Sequence, residues 1–198
     1  MDPLDEKCWE IYEHVKSILG QDGSHGMDHV CRVTHLCRII GIREHADMGI
    51  LIPAALLHDI ARPLEKAQGI PHETEGAKIA GDYLVSIHYD ETCIRGITHA
   101  IRTHRYRSTD TPRTLEARIL SDADKLDAMG AAGIARTFMR AGEHGGSMDD
   151  AVSHFHDKLS KLNDKMFTGS AREIAEERHA FLIRFFSTLE EERKGSRI

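Results

Sequence analysis

The chain has 198 residues, of which 40% are hydrophobic, and its formal net charge at neutral pH is −6. This length suffices for one hydrophobic core and is short for two, so we expect a single domain spanning residues 1–198. The acidic balance disfavours a protein that binds nucleic acid broadly through its phosphates, and a local basic site remains compatible with it.

The start of the chain is acidic and lacks the basic and apolar regions of a secretory signal. The longest apolar stretch, residues 50–57, is interrupted by Pro53 and is far shorter than the roughly 20 residues that a membrane span requires. No membrane segment is therefore predicted, and we expect a cytoplasmic protein.

Hydrophobic residues recur at three- and four-residue steps along most of the chain, which predicts amphipathic helices. The helical windows are residues 3–19, 28–44, 47–60, 73–88, 91–105, 114–128, 131–142, 147–166 and 171–194. Gly, Pro or short polar runs separate them, and no segment alternates with a period of two residues. The sequence predicts an all-α fold of about eight helices.

Four cysteines show no Cys-x-x-Cys spacing. Cys31 and Cys37 fall inside the apolar pattern of one helical window. Buried thiols are therefore a better interpretation than metal ligands or disulfides.

The pair His58-Asp59 ends the apolar run of residues 50–57. A carboxylate in such a place must find a cation, a hydrogen-bond donor or a proton, because its desolvation is costly. Two other residues could help to bind a cation, His29 on the inward side of its helical window and Asp124. Taken singly, His29 could be a hydrogen-bonded core histidine and Asp124 a carboxylate in a salt bridge.

Three phrases resemble the HD-domain metal-dependent phosphohydrolases, in their compact stand-alone branch. They are His-Gly-Met-Asp-His-Val-Cys-Arg-Val at 25–33, Ala-Leu-Leu-His-Asp-Ile at 55–60 and the run from Asp122 to Phe138. The resemblance implies an HD-type helical bundle with its motif core in residues 22–145 and accessory helices in residues 146–198. It also implies that the metal ligands are His29, His58, Asp59 and Asp124.

A ligand set of two imidazoles and two carboxylates leaves open positions on an octahedral ion. It favours manganese, cobalt, iron or nickel, while zinc and magnesium are also compatible with it. Two-metal members of the family would recruit further histidines, here His72, His88 and His99. Nothing in the spacing of these three requires a second ion, and we favour one metal.

A phosphohydrolase also needs positive charge near the phosphate and an activated water. The segment Ile-Arg-Thr-His-Arg-Tyr-Arg supplies a basic cluster, although cations also favour a solvated helix C-terminus. The resemblance implies that His104 faces the metal and is catalytic, together with Asp59, which would hold the attacking water. The candidate substrate-binding residues are His25, Arg62, Arg102, Arg105 and Lys125.

The resemblance leaves several nucleotide substrates open. Guanosine tetraphosphate hydrolases of the family carry Glu-Asp two residues after the His-Asp pair, where this chain has Arg62-Pro63, and this departure disfavours that activity. We therefore expect hydrolysis of a nucleotide phosphate ester or anhydride, with nucleoside triphosphate pyrophosphohydrolase as one form. The alternative is a regulatory module that binds metal and nucleotide without turnover. The sequence does not indicate the oligomeric state.

Overall fold

The computed structural model describes residues 6–20, 26–106, 108 and 110–195. These residues form ten α-helices, two short 3-10 turns and no strand, so the predicted all-α fold is confirmed. None of these helices is both long and apolar enough to cross a membrane. The chain divides into two compact units, Met1–Asp124 and Lys125–Ile198. The expectation of a single domain stays a prediction.

The first unit contains the helices that carry the predicted metal ligands. They are α1 (Glu6–Leu19), α2 (Met27–Glu44), α3 (Met48–Leu57), α4 (Arg62–Gln68), α5 (His72–Ser86), α6 (Glu91–Thr103) and most of α7 (Leu115–Asp127). The sequence windows did not include α4. It is short, and Pro63 in its first turn fits a helix start, because proline there gives up a donor that has no partner within the helix.

Helix α3 is the centre of the first unit. Every residue from 51 to 61 is buried, and α1, α2 and α6 pack against this helix. Full burial of a leucine side chain such as Leu57 contributes about 1.5–3 kcal/mol. Helix α6 approaches α3 closely at Gly96, where an added Cβ would lie 3.0 Å from the side chain of Ile50. The residues that follow α3 and α6 are therefore held beside each other.

The second unit contains α8 (Gly130–Glu143), α9 (Met148–Asp157) and α10 (Gly169–Arg193), with α8 packed against both of the others. The predicted helix over 147–166 is wrong beyond Asp157. Lys158 leaves the helical conformation with φ −130°, and the chain continues as 3-10 turns that bury Leu159. Stacked rings of Phe155 and Phe186, 4.2 Å between centroids, form part of this unit's core.

All four cysteines lie within the described residues, and none of them forms a disulfide. The prediction of a buried thiol is confirmed for Cys37, and it is wrong for Cys31, which is exposed. The inward stripe of α2 runs through Val30 and Val33, and position 31 lies on the other side of the helix.

Candidate metal centre

The four predicted ligands lie in the first unit, on α2, on α7 and in the turn between α3 and α4. His29 occupies the first turn of α2, and His58 directly follows the last residue of α3. Asp59 comes next in the turn before α4, and Asp124 lies near the end of α7. The structure thus brings together residues that are far apart in the sequence.

The Nε2 atom of His29 lies near one atom of each of the other three residues. It is 3.2 Å from His58 Nε2, 3.4 Å from Asp59 Oδ2 and 3.5 Å from Asp124 Oδ1. His58 Nε2 is in turn 3.7 Å from Asp59 Oδ2. His29, His58 and Asp59 offer ligand atoms that all lie within 4.8 Å of one another, and Asp124 lies beside His29.

The hydrogen bonds of the cluster leave a lone pair of His58 and an oxygen of Asp59 facing the other ligands. His58 Nδ1 lies 2.7 Å from the carbonyl oxygen of Ala55, so it donates its proton there and Nε2 faces the cluster with a lone pair. Asp59 Oδ2 is buried and has no hydrogen-bond partner. Burial of a carboxylate oxygen without a partner is costly, and a divalent ion bound by these atoms removes that cost. The residues present therefore fit a metal ion.

The electrostatics of the cluster favour the protonation states that bind metal. Burial lowers the pKa of His58 to about 4, so its imidazole is neutral at pH 7. Burial alone would raise the pKa values of the two carboxyl groups, but the neighbouring histidines and Arg62 outweigh it. His58 and Arg62 hold the pKa of Asp59 well below its ordinary value, and His29 does the same for Asp124.

The lowered pKa of His58 predicts how the stability of the metal-free protein depends on pH. Below about pH 6.5 the unfolded chain protonates His58, whereas the folded protein excludes that proton until about pH 4. The free energy of unfolding should therefore fall by up to about 3 kcal/mol across this window as the pH decreases. Urea titrations at several pH values, with chelator present, measure the fall.

The matched control is His58→Gln, which has no titrating ring at that position. Its free energy of unfolding should depend less steeply on pH than that of the wild type. Parallel pH profiles for the two proteins would contradict the buried neutral state of His58.

A second group of ligand atoms lies on the other side of Asp59. Asp59 Oδ1 is 3.3 Å from His72 Nε2 and 3.7 Å from His104 Nε2, and these two nitrogens are 3.3 Å apart. His104 Nδ1 donates to the carbonyl oxygen of Ile101 at 2.6 Å, which leaves Nε2 unprotonated when the ring is neutral. This group could hold a second cation, so the preference for one metal stays a prediction.

His104 is fully buried at the end of α6. Its ring meets the ring of His58 edge to face, with 5.1 Å between centroids. The resemblance placed this histidine toward the metal, and the structure places it beside the ligands. Its catalytic role stays a prediction.

The histidines expected in a two-metal site are brought together only in part. Among the described residues, His72 reaches Asp59, while His88 lies two residues after the end of α5 with a left-handed φ of 53°. His99 Nε2 accepts the backbone N–H of Arg113 at 3.1 Å. The second group of ligands therefore uses His104 in place of these two.

Two of the three arginines predicted to bind substrate, Arg62 and Arg105, lie beside the centre and are ion-paired. Arg62 Nε donates to Asp59 Oδ1 at 2.8 Å, and its Nη1 donates to Glu65 Oε2 at 3.0 Å. Arg105 Nη1 donates to Glu65 Oε1 at 2.9 Å and to Glu73 Oε2 at 3.0 Å. The two guanidinium groups therefore place positive charge beside the centre, and some of their N–H groups already donate to carboxylates.

The sequence reasoning did not identify Glu65 and Glu73. The signal that could have found Glu65 is its spacing of three residues from Arg62, since such pairs are neighbours on a helix. No comparable local signal links Glu73 to Arg105, because that contact depends on how α5 packs against the segment after α6.

Three other predicted substrate residues lie elsewhere or outside the described part of the chain. Arg102 is exposed on α6. Lys125 belongs to the second unit, where Nζ lies 4.6 Å from the ring centroid of Phe167. His25 lies outside the described residues. Substrate binding by these three stays a prediction.

Comparisons with known proteins agree with this geometry. A family model described as the HD domain matches residues 26–129. Over 205 aligned residues, the chain is 36% identical to the uncharacterized protein YpgQ of Bacillus subtilis, covering 94% of this chain and 93% of YpgQ.

Two solved structures extend the likeness to the fold. The structure of Bacillus subtilis YpgQ in complex with ADP has a TM-score of 0.79 at 34% identity and covers 93% of this chain and 97% of that chain. A predicted HD superfamily hydrolase from an uncultured Thermotogales bacterium has a TM-score of 0.72 at 32% identity, covering 93% and 91%.

The fold, the ligand cluster and these matches define the class of the protein. The chain belongs to the HD-domain family. It is a metal-dependent phosphohydrolase of that family, with a His/Asp cluster suited to a divalent ion.

Proposed function

We propose that the protein hydrolyses a phosphate ester or anhydride bond of a nucleotide, and that a nucleoside triphosphate cleaved with release of pyrophosphate is the leading substrate within this class. The observation that carries the proposal is the buried, unpaired Asp59 Oδ2 facing the Nε2 atoms of His29 and His58. The relative YpgQ forms a complex with ADP, and this supports a nucleotide as the ligand of a similar chain.

In this proposal the metal is held by His29, His58, Asp59 and Asp124. A divalent ion bound there supplies a Lewis acid for the phosphoryl oxygen and makes the attacking water more acidic. The mixed nitrogen and oxygen ligands favour manganese, cobalt, iron or nickel.

The residues around the ion supply charge and orientation. Asp59 holds the water that attacks phosphorus, and His104, when its ring carries a second proton on Nε2, steadies the negative charge that develops on the phosphate. Arg62 and Arg105 each give part of their N–H donors to carboxylates, and the remaining donors bind the phosphate chain. This arrangement suits a substrate with several negative charges.

A panel of nucleoside mono-, di- and triphosphates tests the proposal. With manganese or cobalt, we expect release of phosphate or pyrophosphate from at least one member, loss of activity on addition of chelator, and recovery when the metal is restored. The products distinguish the bond that is cut. If no member of the panel is turned over with any of the favoured metals, the protein is instead a module that binds metal and nucleotide.

A further inference from the structure

Glu65 on α4 is the point where three cationic or hydrogen-donating groups meet. Its Oε2 accepts hydrogen bonds from His72 Nδ1 at 2.9 Å and from Arg62 Nη1 at 3.0 Å. Its Oε1 accepts Arg105 Nη1 at 2.9 Å. Hydrogen bonds to charged groups are stronger than neutral ones, so Glu65 restrains all three side chains.

The first consequence concerns the ring of His72. An ionised carboxylate can only accept, so the proton of the neutral ring must be on Nδ1 when it bonds to Glu65. Nε2 then carries a lone pair, and it lies 3.3 Å from both Asp59 Oδ1 and His104 Nε2. His72 therefore faces the second group of ligand atoms as an acceptor.

The second consequence reaches Asp59 through Arg62. One guanidinium bonds to Glu65 through Nη1 and to Asp59 Oδ1 through Nε. Because Oδ1 is held on this side, Oδ2 is the oxygen left to face His29. The carboxylate of Asp59 is thus oriented by side chains of the protein itself.

We propose that Glu65 is a positioning residue of the metal centre. It fixes the proton of His72 on Nδ1, and through Arg62 it turns Oδ2 of Asp59 toward the ligand cluster. The consequence for turnover rests on the proposed function, whereas the ring proton and the metal affinity are measured without any substrate.

The ring proton is measured on metal-free, ¹⁵N-labelled protein by long-range ¹H–¹⁵N correlation of the histidine rings, with His72 assigned from His72→Gln. We expect wild-type His72 to carry its proton on Nδ1. Glu65→Ala should release the ring into the form protonated on Nε2, whereas Glu65→Gln should keep the wild-type form, because it retains an acceptor oxygen.

Glu73→Ala is the matched control, since Glu73 Oε2 lies 3.4 Å from His72 Nδ1 and is the only other carboxylate beside that atom among the described residues. It should leave the proton of His72 in place. Movement of the His72 proton to Nε2 in Glu73→Ala but not in Glu65→Ala would overturn the proposal. A wild-type His72 protonated on Nε2 would also overturn it, whether or not the Glu65→Ala variant folds.

Metal affinity gives a second readout, by competition between the protein and a chromophoric chelator for cobalt. Loss of an outer partner of metal ligands weakens affinity by about 10–100-fold, and we expect this for Glu65→Ala. Glu65→Gln should lose less than Glu65→Ala, and Glu75→Ala, whose carboxylate pairs with Lys78 on α5, should bind like the wild type. Equal affinities for Glu65→Ala and wild type would overturn the proposal. Failure of the nucleotide panel alone would leave it standing.

Discussion

Replacing His58 and Asp59 together by alanine should empty the metal centre and abolish hydrolysis. The double variant removes one lone pair aimed at the cluster and the buried carboxylate that has no hydrogen-bond partner. We expect up to one ion per chain in the wild type and background metal in the variant. Turnover should fall by more than about three orders of magnitude, because the activation of water and the stabilisation of charge are both lost.

Elemental analysis of tag-free protein measures the metal, and the nucleotide panel measures turnover. His35→Ala is the matched control, because it removes an exposed histidine from α2, the helix that carries His29. Circular dichroism shows whether the double variant keeps its helices. Equal metal content in the wild type and the folded double variant would refute the assignment of the ligands.

The ligand positions could be predicted because they depend on short local patterns. A carboxylate after an apolar run requires a buried partner, and the order of His29, His58 and Asp59 carries the family resemblance. The structure adds what those patterns do not contain, which is the convergence of their atoms within 4.8 Å. The helical windows were also predictable from the periodicity of hydrophobic residues. The exception is α4, which is too short to show a helical period.

The surroundings of the ligands could not be predicted in the same way. Arg62 and Arg105 were recognised as positive charge near the phosphate, but the sequence does not show that Glu65 and Glu73 hold them. The pair of Arg62 and Glu65 lies within α4, where local spacing allows it, whereas the contacts of Arg105 with Glu65 and Glu73 join segments far apart in the sequence and depend on packing. The second group of ligands was predicted only in part: His72 was named for a two-metal site, but its approach to the histidine that follows α6 depends on how α5 packs.

Removing the imidazole of His104 should lower turnover by two to three orders of magnitude. This is the range for loss of a group that stabilises developing charge, about 3 kcal/mol in activation free energy. Because His104 is fully buried, His104→Ala should also lower stability, beyond the 0.5 kcal/mol or less of an ordinary surface substitution. The kinetic effect must therefore be separated from the effect on folding.

His104→Asn makes that separation. Its side-chain amide can still donate to the carbonyl of Ile101, as Nδ1 of the histidine does, but it has no group at the position of Nε2. We expect the asparagine variant to fold and bind metal, and to be as slow as His104→Ala. Arg95→Ala, an exposed change on α6, should have wild-type kinetics. Steady-state kinetics on metal-loaded proteins measure the contribution of His104 Nε2 to turnover. Wild-type turnover in the asparagine variant would show that this atom takes no part in the reaction.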